Sequence, residues 1–412
     1  MSRRVLIIAL HFPPAHTTST RRILKFARYL PEHGWESSVV TVRTGFHRHL
    51  DETALAEVPA GTRVYRTFGF DPRHSLSIAG RYPGLLALPD RAAPWFPFAT
   101  WRALAIARRE RFDAILSTSP PVTAHCVALL LHDRTGLPWV ADLRDPWAIG
   151  DRGPLHGAID RTLEPRVLRA ATRIVVTTRP HADDLARRFG DEVGDKVNVI
   201  SNGYDEADFE SLPAPRANGR FRLAHVGQLN ADHRGPASFL QALRHCLDRG
   251  LLPADSEVAF IGAGPMAEGG ELQRMADGLG LGAVVSIERH VPYRQALERM
   301  MSAAALLLLQ PGDALHMQIP SKAFEYLRSG RRILALAPAR SATAALMGRH
   351  AGVEVAAPAD VDEIAAKLVG THRAWQKESQ FVERDLSGCD RRALAAELAK
   401  ILVDSCDPGR AR

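Results

Sequence analysis

Along the chain, apolar runs of roughly three to six residues alternate with stretches whose apolar residues recur at helical spacing. In the first half the runs are Val5–Leu10, Ser38–Val42, Ala114–Leu116, Trp139–Ala141, Ile174–Thr177 and Val197–Ile200; helical patterns such as Ile23-Phe26-Ala27-Leu30 and Ala182-Leu185-Ala186-Phe189 lie between them. Short runs without polar alternation predict strands buried on both faces, and intervening helices predict parallel, doubly wound sheets. The pattern restarts with Phe221–Val226, Val258–Ile261, Val284–Ile287, Ala305–Leu309, Ile333–Ala337 and Val353–Val355. Residues 211–219 follow neither period and, with two prolines, read as a linker. The expected division is an α/β domain over residues 1–210, a second over 220–385, and a tail over 386–412. That tail carries an amphipathic helix with Leu394, Leu398 and Leu402 on one side. Residues 67–101, rich in proline and aromatics, break the alternation and read as an insertion.

Composition adds bounds. At 412 residues the chain exceeds a single hydrophobic core, and 46% hydrophobic with 24% charged residues is ordinary for a soluble globular protein. The four cysteines are scattered without metal-ligand spacing, which argues for a reducing compartment and against a structural zinc. The N-terminal run Val5–Leu10 is too short for a signal-peptide core, and the longest apolar run, Ala303–Leu309, is strand-sized. The expected location is therefore the cytoplasm. A net charge of +7 favours anionic partners. Nucleic acid is not expected among them, because no recognition module or aromatic-interleaved basic stripe is present.

The candidate chemistry sits where strands end. Pro320-Ser321-Lys322-Ala323-Phe324-Glu325-Tyr326-Leu327-Arg328-Ser329-Gly330 precedes the run Ile333–Ala337. A helix start bearing Ser321 and Lys322 suits a diphosphate, and Glu325, one turn further, suits a pair of sugar hydroxyls. The bland reading is an exposed Lys and a helix-face carboxylate. Gly227 follows the first strand of the second half and permits close backbone approach to a ligand; Arg234, in the same loop region, is a bidentate phosphate donor. Gly262 and Gly264 follow the next strand but lack the third glycine of a dinucleotide fingerprint. Arg289, His290 and Val291 follow a third strand, where a nucleobase edge can meet the backbone. In the first half, His16, Thr17 and Thr18 occupy the first strand-to-helix loop, which otherwise reads as a capped helix start. Asp142, Arg144, Asp145 and Trp147 emerge from a buried strand, an expensive placement unless they pair with one another or meet a ligand. No convincing metal-binding Asp-x-Asp is present: Asp360-Val361-Asp362 reads as a helix cap.

Taken in order, these segments resemble the retaining glycosyltransferases of family four, in the branch that builds bacterial surface polysaccharides. The resemblance runs over nearly the whole chain and rests on order and spacing more than on any one motif. It implies the GT-B fold, two Rossmann-like domains facing each other across a cleft, with the C-terminal helix returning to the first. It implies transfer of a sugar from a nucleoside-diphosphate sugar to a sugar or lipid-linked acceptor hydroxyl, with retention and without a metal or other cofactor. Residue by residue, it makes Glu325 the ribose contact and Ser321 and Lys322 the pyrophosphate cradle. Arg234 stands where the family usually has a phosphate-binding Lys, and Arg289 to Val291 match the loop that meets the base. Asp142 and Asp145 are expected to assist the chemistry alongside Arg234 and Lys322; His16, Thr17, Thr18, Arg144 and Trp147 are expected to contact the acceptor. There are four departures from the family pattern: Met317 replaces an acidic residue eight positions before Glu325, Gln228 replaces a basic one, His16-Thr17-Thr18 replace glycines, and Arg144 aligns with a histidine. Two other functions stay open, a sugar-nucleotide epimerase of the same fold and a non-catalytic sugar-nucleotide-binding subunit. Leu85, Leu86, Trp95, Phe96 and Phe98, beside Arg91, Arg102, Arg108 and Arg109, suggest peripheral contact with the inner membrane face, against the plainer reading of a packed lid.

Overall fold

The computed structural model describes residues 2–76, 84–147, 153–210, 212, 219–229, 234–310, 312, 315–377 and 381–407, without the side chains of 234 and 235. The chain forms two compact units, one made of residues 1–201 and 391–412 and the other of residues 202–390.

The first unit is built on a parallel sheet of β1 (Arg3–Ile8), β2 (Trp35–Val42), β3 (Arg63–Thr67), β4 (Ala114–Ser119), β5 (Trp139–Leu143), β6 (Arg173–Val176) and β7 (Val197–Val199). Their order is β3-β2-β1-β4-β5-β6-β7, so the winding reverses between β1 and β4. Its longer helices are α1 (Thr18–Tyr29), α2 (Phe96–Arg109), α3 (Thr123–Thr135), α4 (Pro154–Ala170) and α5 (Arg179–Phe189). One face of the sheet buries Trp95, Ala99 and Ala103 with apolar side chains of α3, α4 and α5.

The second unit repeats the plan with β8 (Arg222–Val226), β9 (Glu257–Ile261), β10 (Val285–Glu288), β11 (Ala305–Leu309), β12 (Arg332–Leu336) and β13 (Val353–Ala356), ordered β10-β9-β8-β11-β12-β13. Its helices include α6 (Arg234–Asp248), α7 (Tyr293–Ser302), α8 (Lys322–Arg328) and α9 (Val361–Lys377). Helices α6 and α9 share one core with the sheet; α7 and α8 form the other, joined by Tyr204 and Phe209. The last helix, α10 (Arg391–Cys406), belongs to the first unit, where Leu394, Leu398 and Leu402 pack with Ile23, Phe26 and Ala27 of α1.

The expected boundaries and the expected insertion change, and the expected linker falls mostly outside the description. The units divide after 201 and after 390 rather than at 210 and 386, because Tyr204 and Phe209 are buried in the second unit's core. Most of the expected linker, residues 211 and 213–218, lies outside the described residues. The stretch taken as an insertion begins in strand β3 and ends in α2, which leads into β4, while residues 77–83 lie outside the description. Within that stretch Trp95 is fully buried and donates its indole N–H to Thr67 Oγ1 at 2.7 Å, so it belongs to the core and not to a surface.

Candidate functional site

In the second unit the residues expected at the donor site fall at the carboxyl ends of adjacent strands, where open parallel sheets bind ligands. At the end of β8 the chain turns at Gly227 with φ of 107°, and its N–H donates to the Ile261 carbonyl at 2.8 Å. The dihedral favours glycine, and a Cβ on Gly227 would meet Lys322 Nζ at 3.2 Å and press on the lysine packed against the turn. Gly262 and Gly264 follow β9 with φ of 68° and 65°. A Cβ on Gly264 would meet Gln228 Cγ at 3.0 Å, and one on Gly262 would meet the His290 Cα at 4.0 Å. Through these contacts the loops after β8, β9 and β10 adjoin. Arg289 and His290 are exposed and Val291 is half-buried.

Helix α8 brings the functional side chains to these loops. Its Ala323, Phe324, Tyr326 and Leu327 are buried, while Lys322 and Glu325 are only partly so. Tyr326 pins the helix to β8: its hydroxyl accepts from the Val226 N–H at 2.7 Å and donates to the Val226 carbonyl at 3.1 Å. Lys322 Nζ therefore reaches the β8 loop, donating to the Gln228 carbonyl at 2.8 Å and lying 3.2 Å from His225 Nε2. Burial pulls its pKa down to about 7, against the pull of the Glu325 carboxylate. Glu325 Oε1 accepts from the Tyr293 hydroxyl at 2.8 Å, which fixes the carboxylate's orientation. The helix is only seven residues long, and the Ala323 and Phe324 amides donate to the Pro320 and Ser321 carbonyls at 2.9 and 3.2 Å. The Lys322 and Glu325 side chains bring an amine and a carboxylate to the site.

Arg234 opens α6, but its side chain lies outside the described residues. Met317 is half-buried in a segment that Gln310 holds by donating to the Leu315 and Gln318 carbonyls at 2.8 and 3.0 Å.

The first-unit candidates separate into two groups. Asp142 is fully buried: Arg22 Nη2 donates to its Oδ1 at 2.9 Å, Arg22 Nε to its Oδ2 at 3.2 Å, and Thr118 Oγ1 to Oδ2 at 2.8 Å. This carboxylate is satisfied inside the fold, which removes it from the reacting groups. Trp147 is buried and donates to Asp160, and Thr17 is the N-cap of α1, accepting from the Thr20 amide. His16 faces Asp51 at 3.6 Å. Thr18 is exposed at the first position of α1.

Arg144 and Asp145 stay candidates. Arg144 Nη2 donates to Ser19 Oγ at 2.7 Å, tying the end of β5 to the start of α1. Burial raises the Asp145 carboxyl above the usual carboxylate range, although the neighbouring Arg144 opposes it. His11, which sequence reasoning passed over, has a buried Nδ1 without a partner among the described residues and lies 5.3 Å from the His47 ring, centroid to centroid. Burial, then His47, Arg144 and Arg91, lower its pKa to about 3. His225 and Tyr326 were missed as well. A polar residue inside the apolar run Phe221–Val226 was the available signal for His225.

Residues 17–203 match the family model described as a glycosyl transferase 4-like domain. No curated protein matches the chain at the sequence level. Among solved structures, sucrose-phosphate synthase from Thermosynechococcus elongatus is similar with a TM-score of 0.63 at 14% identity, covering 99% of this chain and 98% of that one. Anabaena HepE, solved with UDP-glucose, is similar with a TM-score of 0.61 at 15% identity, covering 99% and 100%. The UDP-GlcNAc 2-epimerase of Methanocaldococcus jannaschii is similar with a TM-score of 0.58 at 10% identity, covering 97% and 99%. Residues 17–203 thus match a glycosyl transferase 4-like domain, and the chain as a whole shares the two-domain GT-B fold of these solved structures.

Proposed function

We propose that the protein transfers a sugar from a nucleoside-diphosphate sugar to an acceptor hydroxyl with retention of configuration, in the assembly of a polysaccharide or glycoconjugate. The observation that carries this reading is Lys322 held against the glycine turn after β8, with an oriented Glu325 one helical turn away. Lys322 takes the diphosphate and stabilises the negative charge that grows as the bond to the sugar breaks. Glu325 receives ribose hydroxyls, and the loop at Arg289, His290 and Val291 meets the base. The leaving phosphate takes the acceptor's proton, so no protein nucleophile is needed. Asp145 and Arg144 hold the acceptor. UDP and UDP-glucose complexes of HepE, a protein of the same fold, support a nucleotide sugar as donor.

A panel of nucleoside-diphosphate sugars, assayed for acceptor-independent hydrolysis and for transfer, tests the reading. We expect turnover of at least one donor, undiminished by excess chelator. Loss of activity restored by manganese would overturn the metal-independent part. An epimerised nucleotide sugar released without acceptor would replace transfer by epimerisation, the activity named for the Methanocaldococcus protein of similar fold.

The acceptor is expected to be membrane-linked, and the protein to dock there peripherally from the cytoplasm. Helix α2 supports this: Phe98 and Trp101 are 43% and 70% exposed and Leu85 nearby in sequence 74%, with exposed Arg108 and Arg109 on the same helix. Co-sedimentation with phosphatidylglycerol vesicles at low salt should retain the protein, and Trp101→Asp should weaken retention several-fold. No retention at low salt would remove the idea.

A further inference from the structure

Strand β8 carries one titratable side chain at its carboxyl end, His225, and it is completely buried. Its Nδ1 lies 2.9 Å from the Leu307 carbonyl of the neighbouring strand β11, and its Nε2 lies 3.0 Å from the Gly227 carbonyl and 3.2 Å from Lys322 Nζ. Burial, followed by the charge of Lys322, holds the ring's pKa well below the ordinary histidine value, so the imidazole is neutral and has one N–H to give. In the tautomer that donates Nδ1–H to Leu307, Nε2 is a bare lone pair facing a carbonyl oxygen. That arrangement is repulsive unless a donor enters, and the Lys322 ammonium is the donor at hand.

We propose that His225 is a positioning residue for Lys322: its Nε2 accepts one ammonium proton, the Gln228 carbonyl accepts a second, and the third is left aimed for a phosphate oxygen of the donor. This deepens the donor-site reading and rests on it for the role of Lys322. The histidine touches no substrate. It converts a lysine, whose ammonium can swivel on a flexible stem, into a directed donor. One other titratable group acts on Lys322 from its own helix, the Glu325 carboxylate, while the Tyr326 hydroxyl of that helix is engaged by β8 backbone. Tyr293 of α7 reaches Glu325 rather than the lysine.

Two measurements test this. The first is nitrogen NMR of the imidazoles in the full chain, with His225 assigned by its loss in His225→Gln. Nε2 should be unprotonated, and Lys322→Met should move its resonance as the ring either loses its donor or turns over its tautomer to donate to Gly227. An Nε2 signal unmoved by Lys322→Met overturns the pairing, whether or not a nucleotide sugar binds. The second is UDP-glucose affinity against pH. His225→Phe should weaken binding roughly tenfold near neutrality, the worth of one hydrogen bond to a charged group. It should also move the fall in affinity to lower pH, because the ammonium loses an acceptor; His225→Gln should restore part of both. A folded His225→Phe protein with the wild-type affinity and pH profile overturns the proposal. If both replacements unfold, the NMR comparison of wild type and Lys322→Met decides it alone. If the wild type does not bind UDP-glucose, the affinity series uses whichever donor of the panel it does bind; failure to bind any of them would instead strike the donor-site reading.

Discussion

Lys322→Met should reduce donor turnover by roughly a hundredfold or more, the usual effect of removing one preorganised donor from a developing anion. The loss should appear in both binding and the chemical step, since the diphosphate is charged in the substrate and more so as it leaves. A pH signature accompanies it. In the ligand-free protein the ammonium titrates at about 7, well below the ordinary lysine value, mainly because of burial. A bound diphosphate favours the charged form and raises that pKa. The sign follows: affinity is level below about pH 7, where the lysine is already charged, and declines as pH rises from there toward the bound-state pKa. At pH 8 binding must take up a proton. UDP-glucose has no phosphate ionisation of its own near neutrality, so calorimetry in buffers of different ionisation enthalpy should detect that uptake in the wild type and not in Lys322→Met. Equal heats in all buffers for the wild type would show that this lysine does not meet the diphosphate.

Arg22→Met should destabilise the first unit by about 3–5 kcal/mol, the expected consequence of leaving a buried carboxylate without its partner. Both side chains are almost fully enclosed, at 2% and 1% exposure, and the arginine also donates to the Ser201 and Ile200 carbonyls at 2.7 and 3.0 Å. Urea unfolding followed by tryptophan fluorescence reports mainly on this unit, which holds Trp35, Trp95, Trp139 and Trp147 in buried positions. The double variant Arg22→Met/Asp142→Leu should recover much of the loss, because it removes both charges together. A single variant with an unchanged midpoint would mean that the pair is not closed in solution.

Strands were legible wherever an apolar run stood alone between helical patterns, and β11, Ala305–Leu309, is the plainest case. Strand β3, at the sheet edge, was not legible, because Arg63-Val64-Tyr65-Arg66-Thr67 holds neither an apolar run nor a clear alternation. In the second unit the placement of Gly227, Lys322 and Glu325 could be read, because Gly227 follows directly on a recognisable strand and the other two lie in the first turn of a recognisable helix. His225 could not be assigned a task, since its meaning depends on Leu307 and Lys322, which only the parallel sheet brings beside it. Asp142 misled for a related reason. A charge at a strand's end has the look of chemistry until its partner is known, and Arg22 stands 120 residues earlier in the chain. Local pattern shows where a polar group sits. Whether that group is satisfied depends on distant pairing.

Because α10 completes the first unit while residues 202–390 form the second, the order of synthesis differs from the order of completion. A nascent chain can assemble the whole β8–β13 sheet while the β1–β7 sheet still shows one bare apolar face, awaiting Leu394, Leu398 and Leu402. Until those residues leave the ribosome, the surface formed by Ile23, Phe26 and Ala27 is open to wrong partners. Truncation before residue 391 would therefore harm the half of the molecule farthest from the cut in sequence.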